Sequence, residues 1–309
     1  MSKILFWSPY HGQGQTSNLY VIALIFGILH RKRVLMMQTH FKNNNLESPL
    51  VGHNVDQDTK EGKIFEGIGL DMAITYNNMN KLSQKTLEHC CLTFSDSSIL
   101  LMPGTNTKNK ETFDRDIGNA VNRMVMDVDG YVDLVLIDSN SGEDELSMRL
   151  MTISDMVVVN LTQRRYVLEK FFSEYGERLI KDKKVFYIFG DYDDNSSYNI
   201  NNCRKKYSKF ITSNNSGVIP YCTKFMDAQN ESNVMKFLQN GLLQRRNRDR
   251  KTWLTRAVDY FMYGKYAEEE TEYFFHRSLL CVEKMLGMMQ ISVKKEPGEE
   301  NVKEKHLHI

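Results

Sequence analysis

Ser8-Pro9-Tyr10-His11-Gly12-Gln13-Gly14-Gln15-Thr16-Ser17 is the stretch from which the fold can be read. It is preceded by Ile4-Leu5-Phe6-Trp7, an apolar run of strand length, and followed by Asn18 to His30, mostly apolar and long enough for a helix. Strand, glycine turn and helix in that order are the setting of a phosphate-binding loop. In such a loop the glycines let backbone N–H groups close around phosphate, the helix N-terminus adds its dipole, and a lysine reaches the outer phosphates. Gln15 stands in the lysine's place here, so the loop has the outline of an anion cradle without its cation.

The flanking sequence extends the pattern. Val34-Leu35-Met36-Met37 follows the first helix closely, as the next parallel strand of a βαβ unit would. Tyr131 to Ser139 reads as a buried strand that delivers a carboxylate, Asp138, at its end, the position from which an acid holds Mg²⁺ beside a nucleotide. Ser98 to Met102, Met156 to Asn160 and Val185 to Phe189 read as further strands. Between them, Phe113, Ile117, Val121, Met124 and Val128 recur at helical spacing, and Val167 to Leu179 predicts another helix. About seven strands alternating with helices predict an α/β fold: a mostly parallel twisted sheet with helices on both faces and ligands at the carboxyl ends of the strands. Gly12, Gln38 and Asp138 all fall at those ends.

These motifs together resemble the deviant Walker A ATPases of the MinD/ParA type, a P-loop NTPase-like fold, over residues 1–240. The family loop reads Lys-Gly-Gly-x-Gly-Lys-Thr-Thr. Aligned without gaps, it sets Tyr10 and Gln15 at the two lysines and retains Gly12, Gly14, Thr16 and Ser17. The family's next strand ends in Asp-x-Asp, whereas this chain continues Met37-Gln38-Thr39-His40. Asp138, the segment Leu101-Met102-Pro103-Gly104-Thr105 and the late segment Val218-Ile219-Pro220-Tyr221, similar to the adenine-side loop, are kept.

The resemblance implies that Gly12, Gln13, Gly14, Gln15, Thr16, Ser17, Asp138, Pro220 and Tyr221 surround the place of ATP or ADP, with Thr16 and Asp138 at its Mg²⁺. Phosphoryl transfer relies on cations that offset developing charge, and one missing cationic finger lowers the rate by about 10³ to 10⁵. With both lysines and both aspartates lost, no catalytic residue is expected and nucleotide binding should be weak or absent, as in a pseudo-ATPase. The overall pattern is similar to TadZ/CpaE-like members, which implies a localisation or scaffolding factor for a larger pilus or secretion assembly. Such a protein would work through protein contacts and as a homodimer whose interface uses Tyr10, Gln15, Gln38 and His40. Two other readings stay open. One is a nucleotide-switched ATPase with a non-standard P-loop; the other is a tyrosine-kinase-like ATPase relative, suggested by Tyr260, Tyr263, Tyr266 and Tyr273.

The chain has 309 residues, enough for one substantial α/β core at 1–240, a C-terminal helical extension at 241–291 and a charged, disordered tail at 292–309. A formal net charge of +1 exerts no global pull on nucleic acid. The five cysteines contain no Cys-x-x-Cys pair and read as reduced thiols of a cytoplasmic protein. The longest apolar run, Leu19 to Leu29, is too short for a bilayer. Residues 244–262 form a basic, aromatic amphipathic stretch that offers peripheral contact with the inner face of a membrane. Phe41 to Asp71 reads as a loop and a partner surface, and Gly190 to Ser196 as a turn rather than a metal site.

Overall fold

Runs such as Ile4-Leu5-Phe6-Trp7 and Met156-Val157-Val158-Val159 lack polar alternation, which is the mark of strands covered on both faces. The computed structural model describes residues 1–41, 46–51, 67–94, 97–105, 107, 109, 111, 113, 117–178, 181, 183–249 and 265–290, and these runs lie at the centre of one eight-stranded sheet. Its strands are β1 (Ser2–Trp7), β2 (Val34–Gln38), β3 (Leu92–Thr93), β4 (Ile99–Met102), β5 (Leu134–Asp138), β6 (Met156–Leu161), β7 (Lys184–Tyr192) and β8 (Ser216–Pro220). They are ordered β3-β4-β2-β5-β1-β6-β7-β8. All neighbours run parallel except β3 and β4 at one edge. Two strands were not named from the sequence: β3, whose two residues are too few to leave a periodic signal, and β8, whose residues Val218 to Pro220 were read as part of a segment similar to the adenine-side loop.

Alternate residues of each strand enter two separate apolar layers. On one side Leu5, Trp7, Val135, Val157 and Phe189 meet the helices Leu70–Asn78, Gly118–Asp127, Glu145–Ile153, Arg165–Lys170 and Ile200–Lys206. The expected stripe Phe113, Ile117, Val121, Met124 and Val128 lies wholly in this layer. The helix expected over 167–179 begins at Arg165 and continues as a π turn, Phe171–Tyr175, where Phe171, Phe172 and Tyr175 are buried together.

On the other side Ile4, Phe6, Leu136, Val158 and Ile188 are covered by α1 (Gln15–Leu24) and by the helices Thr223–Asn230, Val234–Asp249 and Lys265–Met289. The last of these is integral to the layer: Phe274, Phe275, Cys281, Val282, Met285 and Leu286 are buried in it. Most of the loop expected at Phe41 to Asp71, residues 250–262 of the basic stretch and the tail from 291 lie outside the described residues. Among the described residues no helix is long and apolar enough to cross a membrane. All five cysteines are buried and unpaired, and burial pushes the thiols of Cys90 and Cys203 up to about 11.

Candidate functional site

Register brings the site together. Phe6 of β1 and Gln38 of β2 both pair with Asp138 of β5, so three carboxyl-terminal strand ends share one row. The chain leaves β1 through Ser8 to Gly14 and enters α1. Gly12 and Gly14 have φ of 74° and 71°, the left-handed region that glycine adopts without steric cost. Gly14 caps α1 and brings no side-chain acceptor to its first turn. The backbone half of an anion cradle is therefore retained.

The side chains around it are committed inward. Gln15 is 8% exposed, and its Nε2 donates to Asp138 Oδ1 at 2.6 Å and to the Ser139 carbonyl at 2.6 Å. Its Oε1 accepts from Ser8 Oγ at 2.9 Å. Thr16 Oγ1 donates to Asp138 Oδ2 at 2.6 Å. Each oxygen of the fully buried Asp138 carboxylate is thus held by a neutral donor. His40 Nε2 lies 2.8 Å from the Ser139 carbonyl and 3.9 Å from Asp138 Oδ1. The carboxamide satisfies a buried acid, as the group in a lysine's position could, yet brings no charge to a phosphate. Thr16 and Asp138 engage each other directly through their hydrogen bond.

Further polar contacts fix the loop. Gln13 Oε1 accepts from Thr162 Oγ1 at 2.7 Å, and Ser17 Oγ donates to Gln229 Oε1 at 2.7 Å. Asn18 Nδ2 donates to Asn160 Oδ1 at 2.9 Å, and Asn160 Nδ2 returns to the Trp7 carbonyl at 3.1 Å, tying α1 to β6 and β1. Asp191, at the end of β7, sets Oδ2 3.9 Å from where a side chain on Gly14 would begin. Partial burial pushes its carboxyl above the ordinary value, against the pull of Arg164. A second acid therefore stands beside the helix N-terminus. Pro220 is buried at the end of β8, and the half-exposed Tyr221 donates its N–H to the Tyr192 carbonyl at 3.2 Å.

Gln38 is also turned inward, 2% exposed, with Nε2 3.2 Å from Glu47 Oε2. Glu47 Oε1 accepts from the Gly104 N–H at 2.7 Å, and burial raises its carboxyl above the ordinary value. Gln15 and Gln38 consequently do not present side chains to a second copy, contrary to the expected interface, because each is needed by a buried acid. Tyr10 does lie at the surface end of the loop, with its ring 6.1 Å from Tyr166 and Lys170 Nζ 4.9 Å from its centre. Ser8, Ser139, Asn18, Asn160, Glu47 and Asp191 escaped the sequence reading. Asn160 carried a signal, since it interrupts an apolar run; Glu47 lay in a stretch read as loop.

A parallel sheet of this order, with a glycine turn between its central strand and the first helix and an acid at the end of the adjoining strand, has the architecture of the P-loop NTPases. Comparison with solved structures gives the MinD/ParA variety of that fold. The ParA family ATPase of Chlorobium tepidum superimposes with a TM-score of 0.60 at 16% identity, covering 76% of this chain and 92% of that one. MinD of Pyrococcus horikoshii, solved with Mg-ADP, gives 0.61 at 13% identity over 96% and 100%. MinD in the MinC:MinD complex of Aquifex aeolicus gives 0.55 at 13% identity over 96% and 98%. No family model matches the sequence, and no curated protein matches it.

Proposed function

We propose that this chain is a catalytically degenerate MinD/ParA-like protein that acts as a localisation or scaffolding factor for a larger assembly, through protein contacts rather than nucleotide turnover. The observation that carries this reading is the closed set Ser8, Gln15, Thr16, Asp138 and Ser139, in which every side-chain group expected at phosphate and metal is bonded to a neighbour. The fold supplies precedent for a docking role, since the Aquifex aeolicus MinD was solved with MinC. The surface beside the loop suits protein contact: Tyr166 is 57% exposed next to Tyr10, and His11 is exposed. The narrower reading, a TadZ/CpaE-like factor at pilus machinery, is supported by the overall sequence pattern alone. The protein is cytoplasmic in this reading, with 244–262 available for peripheral membrane contact.

Self-association across the loop face is the accompanying proposal. Sedimentation of the full-length chain should show a dimer that is indifferent to ATP and that Tyr10→Asp or Tyr166→Asp weakens. A dimer that forms only with ATP would overturn it and favour the second reading, residual nucleotide binding, which the uncapped N-terminus of α1 supports.

A further inference from the structure

At one edge of the sheet, β8 is flanked by Ile200–Lys206 on one face and Lys265–Met289 on the other. A cation from each helix reaches round the edge to the same residue. Arg204 Nε donates to Ser216 Oγ at 3.0 Å, and its Nη2 to the Ser216 carbonyl at 3.3 Å. Lys284 Nζ donates to that carbonyl at 3.0 Å. The two charged nitrogens therefore lie within about 6 Å of each other, a separation at which like charges disfavour the ionised forms. Arg277 stands two turns before Lys284 on the same helix, about 10 Å along its axis, against the rings of Tyr192 and Tyr273.

We propose that Arg204, Arg277 and Lys284 form a binding site for the phosphate group of a small soluble anion at the outer rim of β8. Two cations share one edge carbonyl, one for each of its lone pairs, and a third stands by. Among the described residues none of the three makes an ion pair. Burial lowers the affinity of Arg204 for its proton and Arg277 adds to the effect; burial, then Arg204 and Arg277, do the same to Lys284. The carboxylate whose field meets Arg277 is Asp194, which already accepts from the Tyr273 hydroxyl. All three cations are half-buried, so they enclose a single anionic group more readily than they follow a long backbone. Ordinary surface cations have neither this crowding nor this shared acceptor.

Thermal melts of the full-length chain with pyrophosphate, against chloride at equal ionic strength, test the site. A saturable rise in Tm beyond the chloride response is expected. Arg277→Gln with Lys284→Met should weaken the response at least about tenfold, the size of a lost charge-assisted hydrogen bond. Without anion and at low salt the same variant should melt no lower than the wild type, because repulsion is relieved. If it folds poorly, Lys284→Gln alone should show the same loss in smaller measure. Equal responses to pyrophosphate and chloride, or a pyrophosphate response unchanged in the variants, would overturn the proposal. So would sedimentation with phosphatidylglycerol vesicles in the absence of any soluble-anion response, which would make the rim a membrane face.

Discussion

Gln15 is the residue on which the proposed degenerate reading turns. Its carboxamide bridges Ser8, Asp138 and Ser139, so Gln15→Ala removes the hydrogen bond to a buried carboxylate oxygen, while Ser8 keeps the Tyr10 carbonyl and Ser141. We expect a loss of about 1–3 kcal/mol, read as a lower urea midpoint at unchanged m-value. Gln15→Lys returns one cation but neither the second lysine nor the two aspartates, so phosphate release from MgATP should stay at background; turnover would contradict the degenerate reading. Glu47 supplies a pH signature. Its carboxyl is raised in the folded state, chiefly by burial, so folding favours the protonated form. Stability from this residue is full below the unfolded-state value and falls as pH rises through it towards the folded one. Glu47→Gln should flatten the stability profile just above pH ~4.5, as measured by urea titration across that range; an unchanged profile would show that Glu47 stays ionised.

At the scale of elements, the strands and their glycine turn were legible because uninterrupted apolar runs and a loop between strand and helix are local patterns. Asp138 at a strand end and the helical stripe from Phe113 to Val128 were legible for the same reason. The bonds that close the site were not, because Gln15 and Asp138 stand 123 positions apart and nothing in the sequence says that a carboxamide turns inward. An apolar stripe on a C-terminal helix fits a docked helix and a dimer seam equally well. Contact with Val234–Asp249 decides it. A Cβ on Gly241 would lie 2.1 Å from the Phe275 ring, so the helices meet where only glycine fits. Gly241→Ala should therefore destabilise the protein by about 1–3 kcal/mol, seen as a lower chemical-denaturation midpoint. A neutral effect would mean that the two helices are not packed this way.

For the molecule as a whole, the helix Lys265–Met289 covers the same face of the sheet as α1 and buries Phe274, Phe275, Val282, Met285 and Leu286. At roughly 1.5–3 kcal/mol for each large apolar side chain, that burial is comparable with the whole net stability of a domain, about 5–15 kcal/mol. A chain ending at 249 should lose cooperative unfolding or aggregate; a truncated protein with an unchanged melt would make the helix dispensable. In the proposed reading, the closed side-chain set holds this fold without a nucleotide. Calorimetric titration of the nucleotide-stripped, full-length chain with ATP and ADP, each with and without Mg²⁺, decides whether that is so. No saturable heat at millimolar nucleotide is expected, whereas micromolar binding that strengthens with Mg²⁺ would show that Gln15 and Thr16 release Asp138 to a ligand and that the site remains a nucleotide switch.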